Sequence, residues 1–383
     1  MQPPLVVQPR EQRSAHHLRR WMDVDGASVF FDVEGDVLPP PLDLHDYAAV
    51  GSIFFAMRQR RPLHVEGRVS QAMLRNLEEL QEAWAVWRPA WYSAVPVTAS
   101  EEVPDPVASS ERTGVFAFSG GVDATAALLL HLGRRLRHRR VQPVTAMFIH
   151  GMDIPLEATS ALQTARAAAK SILDTVQVPL STVRTNWRET LCWNYPFEFG
   201  AGLAACLHQF TGTANVGVIG SDEDYAHLQV PWGSNPVTNP FLSGGAFELQ
   251  TECGSMTRTA RVAMISEYPE IVPKLRVCWE GPTTGKNCGK CEKCIRTQLN
   301  FLAAGVEPLC FDSRPTAAQV RSIKTRNNLQ LDHLKDIYKA ARERGINEPW
   351  VSALRLAITR NRVMSRLQRA TRIATAPLRR FRP

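Results

Sequence analysis

Residues 114–132 have the sequence Gly-Val-Phe-Ala-Phe-Ser-Gly-Gly-Val-Asp-Ala-Thr-Ala-Ala-Leu-Leu-Leu-His-Leu. The apolar run at residues 115–118 is typical of a short buried strand, and residues 123–132 have helix-forming composition. Residues 119–121, Ser-Gly-Gly, separate the two and break the apolar run. The stretch therefore predicts a strand, a glycine turn and a helix in immediate succession.

This turn has the properties of an anion site. The start of a helix presents unpaired N–H groups and the positive end of the helix dipole, and both attract negative charge. Gly120 and Gly121 leave room for an anion to touch the backbone, and Ser119 offers a hydroxyl donor. Asp123 does not itself favour phosphate, so we expect it to hold a metal ion or cap the helix. The alternative is a tight turn that binds nothing.

The order Ser-Gly-Gly-Val-Asp at residues 119–123 resembles the signature loop of the PP-loop (N-type) ATP pyrophosphatases. The resemblance implies that this loop binds the pyrophosphate end of ATP together with Mg²⁺, with Ser119 and Asp123 as catalytic residues. The chain departs from the family at Ala124, where serine is usual, and Thr125 offers a hydroxyl one residue later. The resemblance assigns Ser119, Gly120, Gly121 and Asp123 to the pyrophosphate and magnesium site, and Val122 and Thr125 are our further candidates for nucleotide binding.

Strand-like and helix-like segments alternate after the loop. Apolar runs at residues 144–150, 180–184 and 216–219 are separated by helix-forming segments at residues 156–176 and 200–210. This alternation predicts an α/β fold with a doubly wound parallel sheet, Rossmann-like in type.

Ligands of such sheets bind beyond the carboxyl ends of the strands. His150 and Gly151 follow the second strand, Arg184 ends the third and Gly220 follows the fourth, so we expect all four near the nucleotide. The resemblance adds that the backbone near His150 contacts adenine. Arg258, at the start of a later helix, is a further candidate contact for an anionic substrate. The alternatives are an ordinary loop histidine and solvated surface arginines.

Four clustered cysteines form a second motif, with the spacing Cys-x9-Cys-x2-Cys-x2-Cys. Four thiolates at short spacing suit tetrahedral zinc in a closed structural site. Gly289 provides a turn between Cys288 and Cys291. An iron–sulfur cluster and unligated buried cysteines are the alternatives. The cysteines concerned are Cys278, Cys288, Cys291 and Cys294. The isolated Cys192, Cys206, Cys253 and Cys310 are expected to be packing residues.

The glycine turn followed by a four-cysteine site resembles the 7-cyano-7-deazaguanine synthase family over about residues 114–304. The resemblance implies a ligase with ATP, Mg²⁺ and Zn²⁺ as cofactors and the four clustered cysteines as zinc ligands. Such an enzyme adenylates a carboxylate or carbonyl oxygen of a small molecule or modified base, releases pyrophosphate, and lets ammonia or another nitrogen nucleophile displace AMP. Two alternatives stay open. One is a tRNA-thiolating enzyme with Cys192, Cys206 or Cys253 carrying sulfur, and the other is a non-catalytic nucleotide-binding module, which Ala124 favours.

Three regions are predicted. Residues 1–110 form a mixed α+β domain that ends in a linker at residues 100–112, and residues 71–87 within it have the apolar spacing of a helix. Residues 111–305 form the PP-loop domain with its zinc element. Residues 306–383 form a helical, basic extension.

The charge of the chain is concentrated at its end. Residues 351–383 hold nine arginines and no acidic residue, so the rest of the chain is near neutral although the net charge is +8. This tail is expected to be either a solvated segment, dispensable for chemistry, or a contact for RNA or an anionic membrane. The sequence has neither a membrane-spanning apolar run nor a signal-type N-terminus, so we expect a cytoplasmic protein, with a homodimer as one candidate assembly.

Overall fold

The computed structural model describes residues 3–14, 17–107, 109–278 and 283–379. The chain divides into two compact units. The first consists of Met1–Ser255, Lys274–Arg276 and Thr283–Lys286. The second consists of Met256–Pro273, Val277–Pro282 and Asn287–Pro383. Each unit has its own apolar core.

The first unit is organised around one ten-stranded sheet. Its strands are β1 (Leu5–Arg13), β2 (Leu18–Val24), β3 (Ala27–Gly35), β4 (Leu63–Ser70), β5 (Val97–Val103), β6 (Thr113–Ala117), β7 (Gln142–His150), β8 (Leu180–Thr185), β9 (Val216–Gly220) and β10 (Glu248–Glu252). They lie in the order β10-β9-β6-β7-β8-β3-β2-β1-β4-β5. Its helices are α1 (Asp46–Gln59), α2 (Gln71–Trp87), α3 (Val122–Leu132), α4 (Thr159–Thr175), α5 (Trp187–Thr190) and α6 (Tyr195–Leu207).

Most neighbouring strands of this sheet are parallel. The block β10-β9-β6-β7-β8 is parallel throughout. β8 then pairs antiparallel with β3, with Phe31 opposite Thr185 and Val33 opposite Val183, and the antiparallel pairs β3-β2 and β2-β1 follow. Two further parallel pairs, β1-β4 and β4-β5, end the sheet. The predicted α/β class is confirmed, and the N-terminal strands extend the same sheet as the glycine turn.

The second unit is helical. Its helices are α7 (Arg258–Ile265), α8 (Glu292–Ala303), α9 (Ala317–Ser322), α10 (Asn328–Glu343) and α11 (Pro349–Arg379). The start of α11 belongs to the core of this unit, because Trp350, Leu354 and Ala357 are buried. Reading the whole tail as a solvated segment is therefore wrong for the first turns of α11. The apolar residues at the start of α11 recur at helical spacing. The arginines between them made this buried face difficult to recognise from the sequence.

Local patterns predicted several elements correctly. α2 has the bounds expected from its apolar spacing, and β6, α3, β7, β8 and β9 lie where the sequence placed them, within a few residues. Several details differ. Residues 100–103, expected to begin a linker, are the last residues of β5, and the boundary expected near residue 110 lies within the first unit. β10 was not predicted, because its sequence Glu-Leu-Gln-Thr-Glu has little apolar signal.

The sequence Val277-Cys278-Trp279 predicts the end of a strand, but residues 277 and 278 have no regular secondary structure, and Trp279 lies outside the described residues. A separate finding concerns membranes: within the described part of the chain, no helix is both long and apolar enough to cross one.

Candidate functional site

Residues 119–121, called the glycine loop below, connect β6 to α3. The pairing with β7 continues as far as the turn, because the N–H of Phe118 donates a hydrogen bond of 2.8 Å to the carbonyl oxygen of Met147 on β7. Gly121 is the N-cap residue of α3 and has no side chain with which to cap the helix. The positive end of the α3 dipole therefore directly follows the loop, as an anion site requires. Ser119 is exposed beside them.

The two glycines of the loop are needed for different reasons. Gly120 has φ +74°, in the left-handed region that other residues adopt at a cost. Gly121 has an extended backbone, but a Cβ there would lie 3.3 Å from Ser119 Oγ and 3.4 Å from the carbonyl oxygen of Arg276. The loop is thus both sharply turned and closely packed.

A segment far along the chain covers the loop. The N–H of Arg276 donates a hydrogen bond of 2.9 Å to the carbonyl oxygen of Gly120. Two residues earlier, Lys274 Nζ donates to the carbonyl oxygen of Ser171 and to Thr175 Oγ1, both on α4. Residues 274–276 are thereby fixed against α4 and the glycine loop. Sequence reasoning missed this contact, and main-chain bonds of this kind leave no residue signature.

The strand order places the loop where open α/β sheets bind ligands. β6 and β9 are neighbours, and the strands that follow each of them lie on opposite sides of the pair. Gly220, the last residue of β9, passes so close to α3 that a Cβ on it would lie 2.6 Å from the carbonyl oxygen of Asp123. Two predicted site residues, Asp123 and Gly220, are therefore brought together at this switch point.

The residues around Asp123 differ in accessibility. Val122 and Thr125 are buried, whereas Asp123 and Ala124 are partly exposed. The N–H of Thr125 donates to the carbonyl oxygen of Gly121, and its Oγ1 has no hydrogen-bond partner within the described residues. The carboxylate of Asp123 lies in the first turn of α3, where the helix dipole favours negative charge.

His150 and Gly151 end β7 in a constrained corner. His150 is buried, and its Nε2 lies 3.0 Å from the carbonyl oxygen of Pro155. A carbonyl only accepts, so we assign the proton to Nε2, which leaves Nδ1 as an acceptor without a partner in the described structure. Burial lowers the pKa of His150 and favours this neutral form. Gly151 has φ +101°, and a Cβ on it would overlap the carbonyl oxygen of Thr185, so the backbone alone explains this glycine.

The predicted arginines Arg184 and Arg258 belong to different units. Arg184 Nη1 is 3.4 Å from Asp32 Oδ2, and its guanidinium lies 4.9 Å from the ring of Phe30. The guanidinium of Arg184 is therefore already engaged by two side chains of β3. Arg258 begins α7 in the second unit, where Thr257 Oγ1 caps the helix by accepting from the N–H of Ala260.

Aromatic side chains follow the carboxyl ends of the parallel strands. Tyr195 and Phe199 have ring centroids 5.8 Å apart, and Phe199 and Trp232 are 6.0 Å apart. We call these three the aromatic row. The hydroxyl of Tyr195 donates to Asp153, shortly after β7, and Trp232 Nε1 donates to Asp222, shortly after β9, each over 2.8 Å. The sequence analysis did not single out this row, although Tyr195 and Phe199 have helical i, i+4 spacing.

The four clustered cysteines converge in the second unit. Their sulfur atoms all lie within 4.8 Å of one another. Cys278 Sγ is 3.9 Å from Cys291 Sγ, and Cys288 Sγ is 3.8 Å from Cys294 Sγ. These separations are too long for disulfides. They match the sulfur–sulfur separation of about 3.8 Å that a tetrahedral centre requires when each zinc–sulfur bond is about 2.3 Å. The cluster could therefore hold a metal ion.

Hydrogen bonds from the backbone shape this cluster. The N–H of Cys291 points to Cys288 Sγ at 3.3 Å, and the N–H of Cys294 points to Cys291 Sγ at 3.4 Å. Cys291 is the N-cap residue of α8, and Gly289 makes the preceding turn with φ +67°. Donors at a helix start favour thiolate, the form that binds metal. Hydrogen bonds from the neighbouring cysteines, Cys294 first, lower the pKa of Cys291 to about 5, and the same pairing followed by burial raises the pKa of Cys294.

Asn287 attaches Cys278 to the rest of the cluster. Its Oδ1 accepts from the N–H groups of Val277 and Cys278, at 2.8 and 3.2 Å. Its Nδ2 donates over 2.9 Å to the carbonyl oxygen of Cys310. Asn287 was not among the predicted site residues, although its position directly before a cysteine ligand was a usable signal.

Three of the isolated cysteines, Cys192, Cys206 and Cys310, have surroundings that disfavour the thiolate. Cys206 and Cys253 are buried, and burial raises the pKa of Cys206. Burial, with smaller contributions from Glu198, raises the pKa of Cys192 to about 12. Burial likewise raises the pKa of Cys310 to about 12. Such thiols are poor nucleophiles at neutral pH.

Comparison of the chain with protein-family models, with curated proteins and with solved structures gave no match.

Proposed function

We propose that the first unit binds ATP at the glycine loop and transfers its AMP group to an oxygen of a carboxylate or carbonyl substrate. Pyrophosphate leaves, and a nitrogen nucleophile, with ammonia as the simplest, then displaces AMP. The observation that carries the proposal is the glycine turn at Gly120 and Gly121 that leads directly into the start of α3, at the point where the order of the parallel strands reverses.

The role of each residue follows from its position. The main-chain N–H groups of the glycine loop and the first turn of α3 hold the terminal phosphates, and the exposed Ser119 hydroxyl adds a donor. Bound there, the β- and γ-phosphates leave the α-phosphorus open to attack by a substrate oxygen. Asp123 is the residue that would hold Mg²⁺, and that ion would supply positive charge against the leaving pyrophosphate.

The aromatic row is the proposed acceptor side. It connects the segment after β7 with the segment after β9, and so lies at the same strand edge as the glycine loop. His150, at the end of β7, offers its unpartnered Nδ1 as an acceptor for an N–H group of a ligand. The raised pKa values of Cys192 and Cys310 do not suit glutamine hydrolysis, so ammonia would come from outside the chain.

Two sequence motifs and one cluster geometry support a PP-loop ligase like the 7-cyano-7-deazaguanine synthase family. These are the Ser-Gly-Gly-Val-Asp order, the Cys-x9-Cys-x2-Cys-x2-Cys order and the convergence of the four sulfur atoms. In this proposal the metal is a structural Zn²⁺ that stabilises the second unit. The identity of the acceptor does not follow from the resemblance.

A non-catalytic nucleotide-binding module is the second candidate. Ala124 favours it, because this partly exposed position in the first turn of α3 lacks the hydroxyl that the PP-loop family has there. tRNA thiolation is less well supported, since Cys192 and Cys206 have raised pKa values and Cys253 is buried.

The deciding experiment identifies the products of ATP. The protein is incubated with Mg²⁺, ammonium, a protein-free extract of small molecules and ATP labelled at the α-phosphate or, in a parallel sample, at the γ-phosphate, and the labelled products are separated. The proposal expects AMP and pyrophosphate in equal amounts, only when extract is present. Replacing ammonium by hydroxylamine should give a hydroxamate whose mass identifies the acceptor. ATP binding without AMP formation would instead support the nucleotide-binding module, and ADP with phosphate would exclude the proposed geometry.

A further inference from the structure

Helix α11 has one face fixed in the core of the second unit. Trp350, Leu354 and Ala357 on this face are buried. Asn361 continues it, because its Nδ2 donates to the carbonyl oxygen of Ile323 and its Oδ1 accepts from the N–H of Thr325. The helix is therefore held in a definite rotation about its axis, and its other face is presented to solvent.

The solvent face carries large apolar side chains. Leu356 is 55% exposed, and Val363 and Met364 are each 50% exposed. At about 100° per residue, Val363 lies within about 20° of Leu356 around the helix, and Met364 within about 80°. We call these three the exposed stripe. Single exposed apolar residues are common, but these three lie on one side of a single helix, with the guanidinium-bearing Arg360 between Leu356 and Met364.

Positive charge flanks the exposed stripe. Arg355, Arg362 and Arg366 are exposed on one side of it. Residues 351–383 contain nine arginines and no aspartate or glutamate, so no acidic side chain in this region offsets them. An apolar surface bordered by arginines is complementary to the boundary between acidic headgroups and acyl chains.

We infer that α11 binds the surface of an anionic lipid membrane, lying in its plane with the exposed stripe in the acyl boundary and the arginines among the headgroups. The helix does not cross the bilayer. RNA would satisfy the arginines, but it would leave the aliphatic stripe in water, because unpaired bases stack on aromatic or guanidinium planes. A second copy of the chain on the same face would bring arginines against arginines. This inference is independent of the proposed nucleotide chemistry.

The test measures how the full-length protein partitions onto vesicles. Vesicles of phosphatidylglycerol and phosphatidylcholine in equal parts are compared with pure phosphatidylcholine by co-sedimentation at several salt concentrations. One variant carries Leu356→Gln, Val363→Gln and Met364→Gln, and a second carries Arg355→Gln, Arg362→Gln and Arg366→Gln. Leu309→Gln is the matched control, because Leu309 is an equally exposed leucine of the second unit outside α11.

We expect binding to the anionic vesicles that weakens with salt and is much lower on neutral ones. The affinity of the stripe variant for the anionic vesicles should be lower than that of the original protein by about tenfold or more. Each arginine removed should reduce partitioning roughly fivefold. The control should bind like the original protein, and circular dichroism should show equal helix content in all variants.

Three results would overturn the inference. The first is no binding of the original protein to the anionic vesicles. The second is binding that depends on the arginines but not on the stripe and is lost to RNA as a competitor, which would assign the surface to RNA. The third is a dimer in solution that the stripe variant converts to a monomer, which would assign the stripe to a second copy.

Discussion

The main-chain nitrogen of Arg276 donates a hydrogen bond of 2.9 Å to the carbonyl oxygen of Gly120. The bond depends on the left-handed conformation of Gly120, which directs this carbonyl toward residues 274–276. No side chain takes part, so substituting Arg276 does not remove the bond, whereas substituting Gly120 does affect it.

Gly120→Ala should abolish ATP binding while the fold persists. A Cβ at Gly120 would lie 3.5 Å from Ala169, an ordinary contact, so the cost comes from the positive φ and amounts to about 1–2 kcal/mol. Gly26→Ala is the matched control, since Gly26 has φ +83° and open space around it. Both variants should lose similar stability in a thermal melt, and only Gly120→Ala should lose binding in calorimetry. Equal ATP affinity in the two variants would show that the glycine loop is not part of the ATP-binding site.

Asp123→Asn should lower ATP turnover by about two orders of magnitude, taking the loss of one catalytic electrostatic contact as roughly 3 kcal/mol. The measurement is the rate of AMP release at varied Mg²⁺ concentration. Asp174→Asn is the control, because Asp174 is an exposed carboxylate of α4 that pairs with Lys170. Unchanged magnesium dependence in Asp123→Asn would mean that this carboxylate does not hold the ion.

The cysteine cluster should contain about one zinc ion per chain by metal analysis. Cys291→Ser should lose the metal and destabilise the second unit together. Asn287→Ala should keep the four sulfurs but bind zinc about 10 to 100 times more weakly, because Cys278 loses its support. The exposed Asn347 offers the control Asn347→Ala. Iron with visible absorbance, or full zinc retention in Asn287→Ala, would contradict this account.

The basic tail should tolerate truncation only beyond its buried part. A chain ending at Arg366 keeps Trp350, Leu354 and Asn361 in place and should melt like the full-length protein. A chain ending at Pro349 loses those contacts and should lose most of the stability of the second unit, since removing one large buried side chain costs about 2–5 kcal/mol. Identical unfolding curves for the two truncations would show that the start of α11 does not stabilise its unit.

Stability should fall as the pH drops from about 6.5 toward 5, in part because of His131. Burial, followed by Arg139, Arg140 and Arg112, lowers the pKa of His131 to about 4. The unfolded state therefore takes up the proton at higher pH than the folded state, and the contribution of His131 is lost as the pH falls.

The Nδ1 of His131 accepts from the N–H of Val141 over 2.9 Å, and a proton there would break this bond. Glu252 lies 3.8 Å from Nε2 and offsets part of the effect, so we expect about 1–2 kcal/mol. His131→Asn should be less stable at pH 8 and show a smaller loss at pH 5 in denaturant unfolding. A pH dependence equal to that of the original protein would assign the effect to other histidines.

The sequence predicted what depends on neighbouring residues. The turn at Gly120, the apolar side of α2 and the cysteine spacing all follow from local patterns. It did not predict the contact of Arg276 with Gly120, because a main-chain bond is indifferent to side-chain type. The buried face of α11 and the aromatic row were missed for a related reason. Their significance appears only when segments distant in sequence are brought together.

The pairing of β3 with β8 has a consequence for synthesis of the chain. Phe31 and Thr185 are opposite each other, although roughly 150 residues separate them in sequence. At common translation rates the ribosome needs about 10 to 30 s to make that length. During this interval β1, β2 and β3 can pair, but the outer edge of β3 has no native neighbour and is open to other chains. Asp32 and Glu34 on β3 place charge along that edge. Charged side chains on an exposed strand edge disfavour pairing with strands of other chains until β8 has been synthesised.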